Sequence, residues 1–168
     1  MPGIDLTDKA WRKTEDARPR SPEMHDTIRR LFRYKAWADD NLLTALAGLG
    51  AGSPVTGLAI RALGHGHVVD RIFAAHLRGE THPYASANLD ETPTLEGLSA
   101  DIRRSDREYI DYVTGLDADQ LAERIDFTFT DGAAGRMSRE ERLLHVVVHG
   151  AGHRGQVSAV MMLNALPP

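Results

Sequence analysis

The sequence predicts an all-α protein folded as a four-helix bundle. Four segments repeat apolar residues at steps of three and four, clusters of glycine and proline separate them, and one short stretch alternates as a strand does. The 168 residues, 42% of them hydrophobic, are enough to bury one sizeable core. Long amphipathic helices with connections of moderate length are typical of a bundle.

The first predicted helix begins after Ser21, with Pro22 in the first helical position, and ends in the glycine and proline cluster of residues 48–54. One face carries Met24, Ile28, Leu31, Phe32, Lys35, Ala38, Leu42, Leu46 and Leu49. Residues 1–21 are highly charged and show no clean period. We therefore divide the chain into an N-terminal extension, residues 1–21, flexible or packed on another subunit, and a bundle domain, residues 22–168.

Three further helices complete the predicted bundle. The second spans residues 54–78 and stops at Gly79, and the third opens at Thr92 or Thr94 and ends near Gly115. Residues 125–130 alternate as a short strand before a turn, Asp131-Gly132. The fourth helix runs from Arg139 to about Leu163, after the capping-box pair Ser138 and Glu141. Its glycines, Gly150, Gly152 and Gly155, indicate close helix contact or room beside a ligand.

Histidines are the strongest functional signal. His145, His149 and His153 follow one another at steps of four, so each is rotated by about 40° from the last and they form a stripe. Buried imidazoles need a hydrogen-bond partner or a cation, and a divalent metal shared by two of the stripe meets that need, with a third ligand from a facing helix. On the second helix His65 and His67 lie about 200° apart, and His65 is the one on the apolar face.

Two familiar metal sites are excluded by the pattern. The segment from His149 to His153 lacks the glutamate that follows the first histidine in HExxH proteases. The inner faces also lack the paired Glu-x-x-His motifs of di-iron bundles. The remaining histidines are interpreted as structural or exposed, except for His145, which either orients a ligand or belongs to the core. The histidines interpreted as structural or exposed are His25, His67, His76 and His82.

Three segments resemble the DinB/YfiT-like metalloenzymes, a DNA-damage-inducible family distinct from the polymerase of similar name. They are LFRYKAWADDNLL, HGHVVDRIF and LLHVVVHGAGHRGQVSAVMM, the last with His-x3-His before Arg-Gly-Gln, and the resemblance covers about residues 24–163. It implies an up-down-down-up bundle, frequently a homodimer. It also implies that His65, His149 and His153 hold a divalent metal, nickel or zinc, with iron or manganese as alternatives. Many members carry a further histidine where Gly152 stands here.

Three neutral imidazoles leave a divalent ion its full charge and an open position, which suits activation of a thiol or of water. Some relatives in the superfamily use mycothiol, bacillithiol or glutathione. We therefore expect a transferase in which a low-molecular-weight thiol cosubstrate attacks an electrophilic small molecule, and the chain has no cysteine of its own. The alternatives are a metal-dependent hydrolase and a non-catalytic metal-binding stress-response protein. The sequence identifies no catalytic residue beyond the ligands.

Other polar and aromatic residues have two interpretations each. Arg154 and Gln156 either anchor a substrate anion or thiol carboxylate, or pack helices or a dimer. Tyr34 and Trp37 are core or interface aromatics. Asp70 is expected to pair with the arginine that follows it or with a neighbouring helix, on a solvated face.

Composition excludes several classes of partner. The 20 Lys and Arg residues are scattered among 24 Asp and Glu residues, so no basic stripe is present that would bind nucleic acid. The longest uncharged stretch, residues 41–60, holds a proline and four glycines, so no membrane span is expected. The charged N-terminus has no signal-peptide core, and a cytoplasmic location is expected.

Overall fold

The computed structural model describes residues 22–49, 53–89, 91–130 and 132–166. The elements are α1 (Pro22–Ala47), α2 (Pro54–Arg78), α3 (Leu95–Thr114), α4 (Ala118–Ala122), β1 (Arg124–Thr128), β2 (Ala134–Ser138) and α5 (Arg139–Leu163). The all-α prediction is confirmed, because within these described ranges four long helices make up most of the structure and the two strands pair in one antiparallel hairpin. The extension predicted for residues 1–21 lies outside the described residues. No helix in the described ranges combines the length and apolarity needed to cross a bilayer.

Local capping signals decide where the helices begin. The Ser138 hydroxyl accepts a hydrogen bond from the backbone N–H of Glu141, whose side chain accepts from the N–H of Ser138, so the predicted capping box is formed. Thr94 caps α3, which settles the choice between the two predicted starts. The short α4 was not predicted, although Asp117 and Gln120 form a capping box before and within it.

The helices pack so that α2 and α5 lie side by side. Each of α1 and α2 packs against both α3 and α5, which places α1 and α2 diagonally across the bundle. Phe73 stacks on His145, whereas His65, earlier in α2, lies beside His153, later in α5. The two helices therefore run antiparallel, and the middle of α2 faces the middle of α5.

A polar layer divides the apolar core of the bundle. One apolar cluster contains Phe32, Phe73 and Val146, and a second contains Leu46, Leu63 and Val157. Between them, each of the four long helices carries charged or imidazole side chains. They are Lys35, Asp39, His65, Asp70, Asp106, His149, His153 and Arg154, of which the charged members are all buried. This layer is where the candidate site lies.

Candidate metal centre

Three histidines from two helices converge at the polar layer. One ring nitrogen from each of His65, His149 and His153 lies within 4.8 Å of the other two. The Nε2 atoms of His149 and His153 are 3.2 Å apart, and the ring centroid of His65 lies 5.3 Å from that of His149 and 4.9 Å from that of His153. The structure thus brings together the three predicted ligands in a cluster that can hold a metal ion, and metal binding itself stays a prediction.

Two amide side chains orient the imidazoles. The Nδ1–H of His65 donates to Oδ1 of Asn88 at 3.3 Å, and the Nδ1–H of His153 donates to Oε1 of Gln156 at 3.0 Å. Each donation leaves the Nε2 lone pair of that ring free for a cation, which is how carbonyl partners fix the ligating nitrogen of metal-bound histidines. Gln156 therefore contacts a predicted ligand, and Asn88 is a contact that the sequence analysis missed.

The surroundings of His149 and His153 favour the neutral, ligating form of these two rings. Burial, with smaller effects from the neighbouring histidines, lowers the pKa of His149 to about 4. Burial also lowers the pKa of His153, although its bond to Gln156 opposes the shift. Only a neutral imidazole has a lone pair to give a metal. Nδ1 of His149 is buried and has no hydrogen-bond partner among the described residues. The set of three ring nitrogens fits a divalent ion.

His145 extends the stripe by stacking. Its ring lies on Phe73 at a centroid distance of 4.6 Å and an angle of 7°, and beside His149 at 5.4 Å and 16°. The side chain is exposed, so its interpretation as a core residue is wrong. Its contact with His149 is a stacking contact between the two rings, and a role in orienting His149 stays a prediction.

Two recesses flank the triad. One, of about 230 Å³, is lined by His65, Asn88, Arg61 and Glu91. The other, of about 500 Å³, is lined by Met137, Glu141, Leu144, His145, Val148 and His149. The first has a mixed lining that includes the Arg61 guanidinium and the apolar Ile60 and Leu89, whereas the second is mostly apolar. A small molecule in either recess lies against a member of the triad.

The sequence analysis missed a buried ion cluster beside the triad. The ammonium of Lys35 lies 3.0 Å from Asp39, 2.9 Å from Asp70 and 2.7 Å from Asp106, and Asp39 also accepts from Arg154 at 2.8 Å. Asp70 therefore pairs with another helix, as one of its two interpretations predicts, but the expected solvated face is wrong, because this carboxylate is buried on Lys35. The available signal was a lysine on the apolar face of the first helix, four residues before an aspartate.

Protonation in the ion cluster follows from burial and charge. Burial lowers the pKa of Lys35, but the three carboxylates outweigh it and the pKa lies well above its ordinary value. Burial raises the pKa of Asp106 to about 6, and raises that of Asp70, in both cases against the opposing effect of Lys35. Lys35 is thus firmly charged.

The remaining predicted residues are not members of the triad. Tyr34 is 57% exposed and Trp37 is 61% exposed, so their interpretation as core aromatics is wrong, and the homodimer in which they would serve stays a prediction. Arg154 is bonded to Asp39, which supports its helix-packing interpretation. His67 lines a small cavity beside Lys35.

The three glycines of α5 have different surroundings, which predicts opposite effects of alanine. A Cβ on Gly152 or Gly155 would meet nothing within 4 Å among the described residues, whereas one on Gly150 would lie 3.3 Å from Nη1 of Arg154 and 3.4 Å from Cε of Lys35. We expect Gly152→Ala and Gly155→Ala each to raise the free energy of unfolding by about 0.5–1 kcal/mol, because alanine is the better helix former. Gly150→Ala should lower it, since the ion cluster has little freedom to move.

Urea unfolding of the three variants beside the wild type measures these effects. A loss of stability in Gly152→Ala or Gly155→Ala would contradict the prediction. It would indicate that a further surface, such as the predicted second subunit, packs on this face of α5.

Comparison with known proteins agrees with this geometry. A family model described as DinB family matches residues 24–164, which include all four long helices except the first residues of α1. No curated protein matches the chain significantly. The matched segment contains the triad, both amides that orient it and the whole ion cluster.

Proposed function

The chain belongs to the DinB family, and on that premise we propose that it is a divalent-metal-dependent transferase that uses an external thiol. His65, His149 and His153 would hold the ion, nickel or zinc, with iron or manganese as alternatives. The observation that carries the proposal is the convergence of three ring nitrogens within 4.8 Å from two antiparallel helices. A bound divalent ion with an open coordination position would lower the pKa of the thiol or water that it contacts.

The residues around the triad support a reaction between two small molecules. The recess beside His65 offers Arg61 to a carboxylate, and the biological thiols named above include carboxylated ones such as glutathione. The apolar recess offers Leu144 and Val148 to the carbon skeleton of an electrophile. Asn88 and Gln156 hold protons at Nδ1 of their histidines and so keep the opposite ring nitrogens as ligands.

The reaction conserves atoms and charge without a redox partner. The thiol sulfur forms a bond to an electrophilic carbon, and the bond from that carbon to the leaving group breaks with its electron pair. The thiol proton passes to solvent. The chain contains no cysteine, so the nucleophilic sulfur has to come from a cosubstrate.

The test begins with the metal content of untagged protein purified without chelator, by elemental mass spectrometry. We expect about one equivalent of divalent ion per chain. The metal-loaded protein is then given glutathione, mycothiol or bacillithiol with a panel of alkylating electrophiles, and thiol loss is followed. Consumption that a chelator abolishes and added metal restores is the expected result.

Other outcomes separate the alternatives. Metal binding without thiol consumption, but with turnover of an ester or amide panel, would replace the transferase by a hydrolase. Metal binding with neither activity would leave a non-catalytic metal-binding protein. A chain that stays metal-free after each ion has been added would contradict all three.

A further inference from the structure

The ion cluster and the triad border the same small cavity. Its volume is about 20 Å³, and its walls include Lys35, Asp70, Gly150 and His153. Gly150 follows His149 in α5, and a Cβ on it would lie 3.4 Å from Cε of Lys35. The stem of Lys35 therefore lies against the backbone that carries the ligands of α5.

The ion cluster connects the two helices that carry the triad. Lys35 of α1 binds Asp70 of α2, the helix of His65, at 2.9 Å. Lys35 also binds Asp39 at 3.0 Å, and Asp39 binds Arg154 of α5 at 2.8 Å. Arg154 is the residue after His153. One ammonium is thus linked to both ligand helices by bonds of hydrogen-bond length.

A buried ion cluster sets distances between helices more narrowly than apolar packing does. Burying charges is costly, and replacing a buried ion pair by apolar side chains often leaves stability unchanged or raises it. Five buried charged side chains in the middle of a bundle are therefore poorly explained by stability. They are better explained by the geometry that they impose, because a charge-assisted hydrogen bond forms only when its donor and acceptor atoms lie about 3 Å apart.

We propose that Lys35, acting through Asp70 and Asp39, positions α2 and α5 so that the three imidazoles converge. The inference rests on the proposed function for its chemical purpose, although the positioning itself is a property of the metal-free chain. Lys35, Asp39 and Asp70 are positioning residues, since they act through the ligands.

Asp106 provides a matched control. Its carboxylate binds the same ammonium at 2.7 Å and is as deeply buried as that of Asp70, with exposed fractions of 4% and 5%. It lies on α3, which carries none of the three histidines. Asp70→Asn, Asp39→Asn and Asp106→Asn each remove one carboxylate charge from Lys35, but only the first two weaken a link to a ligand helix.

The experiment measures Co²⁺ binding to the full-length chain and its three variants, by competition with a chromophoric chelator and by the visible absorption of the bound ion. We expect Asp70→Asn and Asp39→Asn to weaken binding by about 10–100-fold, the usual cost of losing a partner that orients a ligand. Both should also shift the Co²⁺ bands. Asp106→Asn should leave the Co²⁺ affinity and the Co²⁺ spectrum unchanged. Its urea unfolding midpoint should nevertheless fall, as the midpoints of the other two variants do.

A second readout uses the metal-free chain. In ¹H–¹⁵N spectra of the histidine rings, Asp70→Asn and Asp39→Asn should shift the signals of His149 and His153, and Asp106→Asn should not. If the wild type binds no Co²⁺, the proposed function fails and the ring signals alone decide the positioning. Equal losses of Co²⁺ affinity in all three variants would overturn the positioning proposal. So would histidine ring signals that stay unshifted in all three.

Discussion

Binding of a divalent metal is expected to weaken by more than about 100-fold in each of three variants, His65→Ala, His149→Ala and His153→Ala. Loss of a partner that merely orients a ligand costs about 10–100-fold, and removal of a ligand should cost more. The expectation rests on geometry, because each ring supplies one of the three nitrogens that lie within 4.8 Å of one another. Isothermal titration of the chelator-treated chain with Zn²⁺ or Ni²⁺ measures the change.

The metal-free variants should stay folded. Nδ1 of His149 is buried without a hydrogen-bond partner among the described residues, so its removal also removes an unsatisfied polar atom. We therefore expect little loss of stability without metal, and loss of the stabilisation that excess metal gives the wild type. A histidine that served only the fold would show the reverse: destabilisation without metal, and an unchanged response to it.

His67→Ala is the matched control for this series. His67 belongs to the same helix as His65 and lines the small cavity that Lys35 and His153 also border, but it is not one of the three histidines whose ring nitrogens converge. Its substitution should leave metal affinity unchanged. Retention of metal by His65→Ala, together with its loss by His67→Ala, would overturn the assignment of the α2 ligand.

The helices and the triad could be predicted because both depend on local periodicity. A spacing of four residues places His149 and His153 on one face of any α-helix, and the apolar period of the second helix separates His65 from His67 by half a turn. The caps at Ser138 and Thr94 are likewise local. Such signals do not depend on which helices become neighbours.

The ion cluster could not be predicted in the same way, because its bonds join residues far apart in the chain. Lys35 and Asp106 are separated by 71 positions, and nothing near either residue identifies the other. A charged residue beside a neighbour of opposite sign is usually solvated, so the sequence alone predicts a surface position for Asp70. The exposure of Tyr34 and Trp37 also depends on tertiary packing, since the two rings line an open groove between α1 and α5.

Lys35→Met is expected to lower the free energy of unfolding by about 3–5 kcal/mol, the usual cost of removing one partner from a buried ion pair. Lys35 is 2% exposed and lies within 3.0 Å of three carboxylates. With the ammonium removed, Asp70 and Asp106 lose the cation that they bind, and Asp39 keeps only Arg154. Urea unfolding with chelator present measures the loss. Arg103→Met is the control, since its 2.7 Å bond to Asp40 is exposed and should be worth less than about 1 kcal/mol.

The loss in Lys35→Met should depend on pH in a defined direction. The pKa of Asp106 is already raised to about 6 in the wild type, and that of Asp70 is raised, so removal of the ammonium raises both further. A carboxyl whose folded pKa exceeds its unfolded value of about 4 favours folding most at low pH, and that contribution disappears as the pH rises through the folded pKa. The deficit should therefore be small near pH 4 and grow through pH 6 and above. A deficit that is constant across this window, or no larger than that of Arg103→Met, would mean that the carboxylates find other partners when Lys35 is absent.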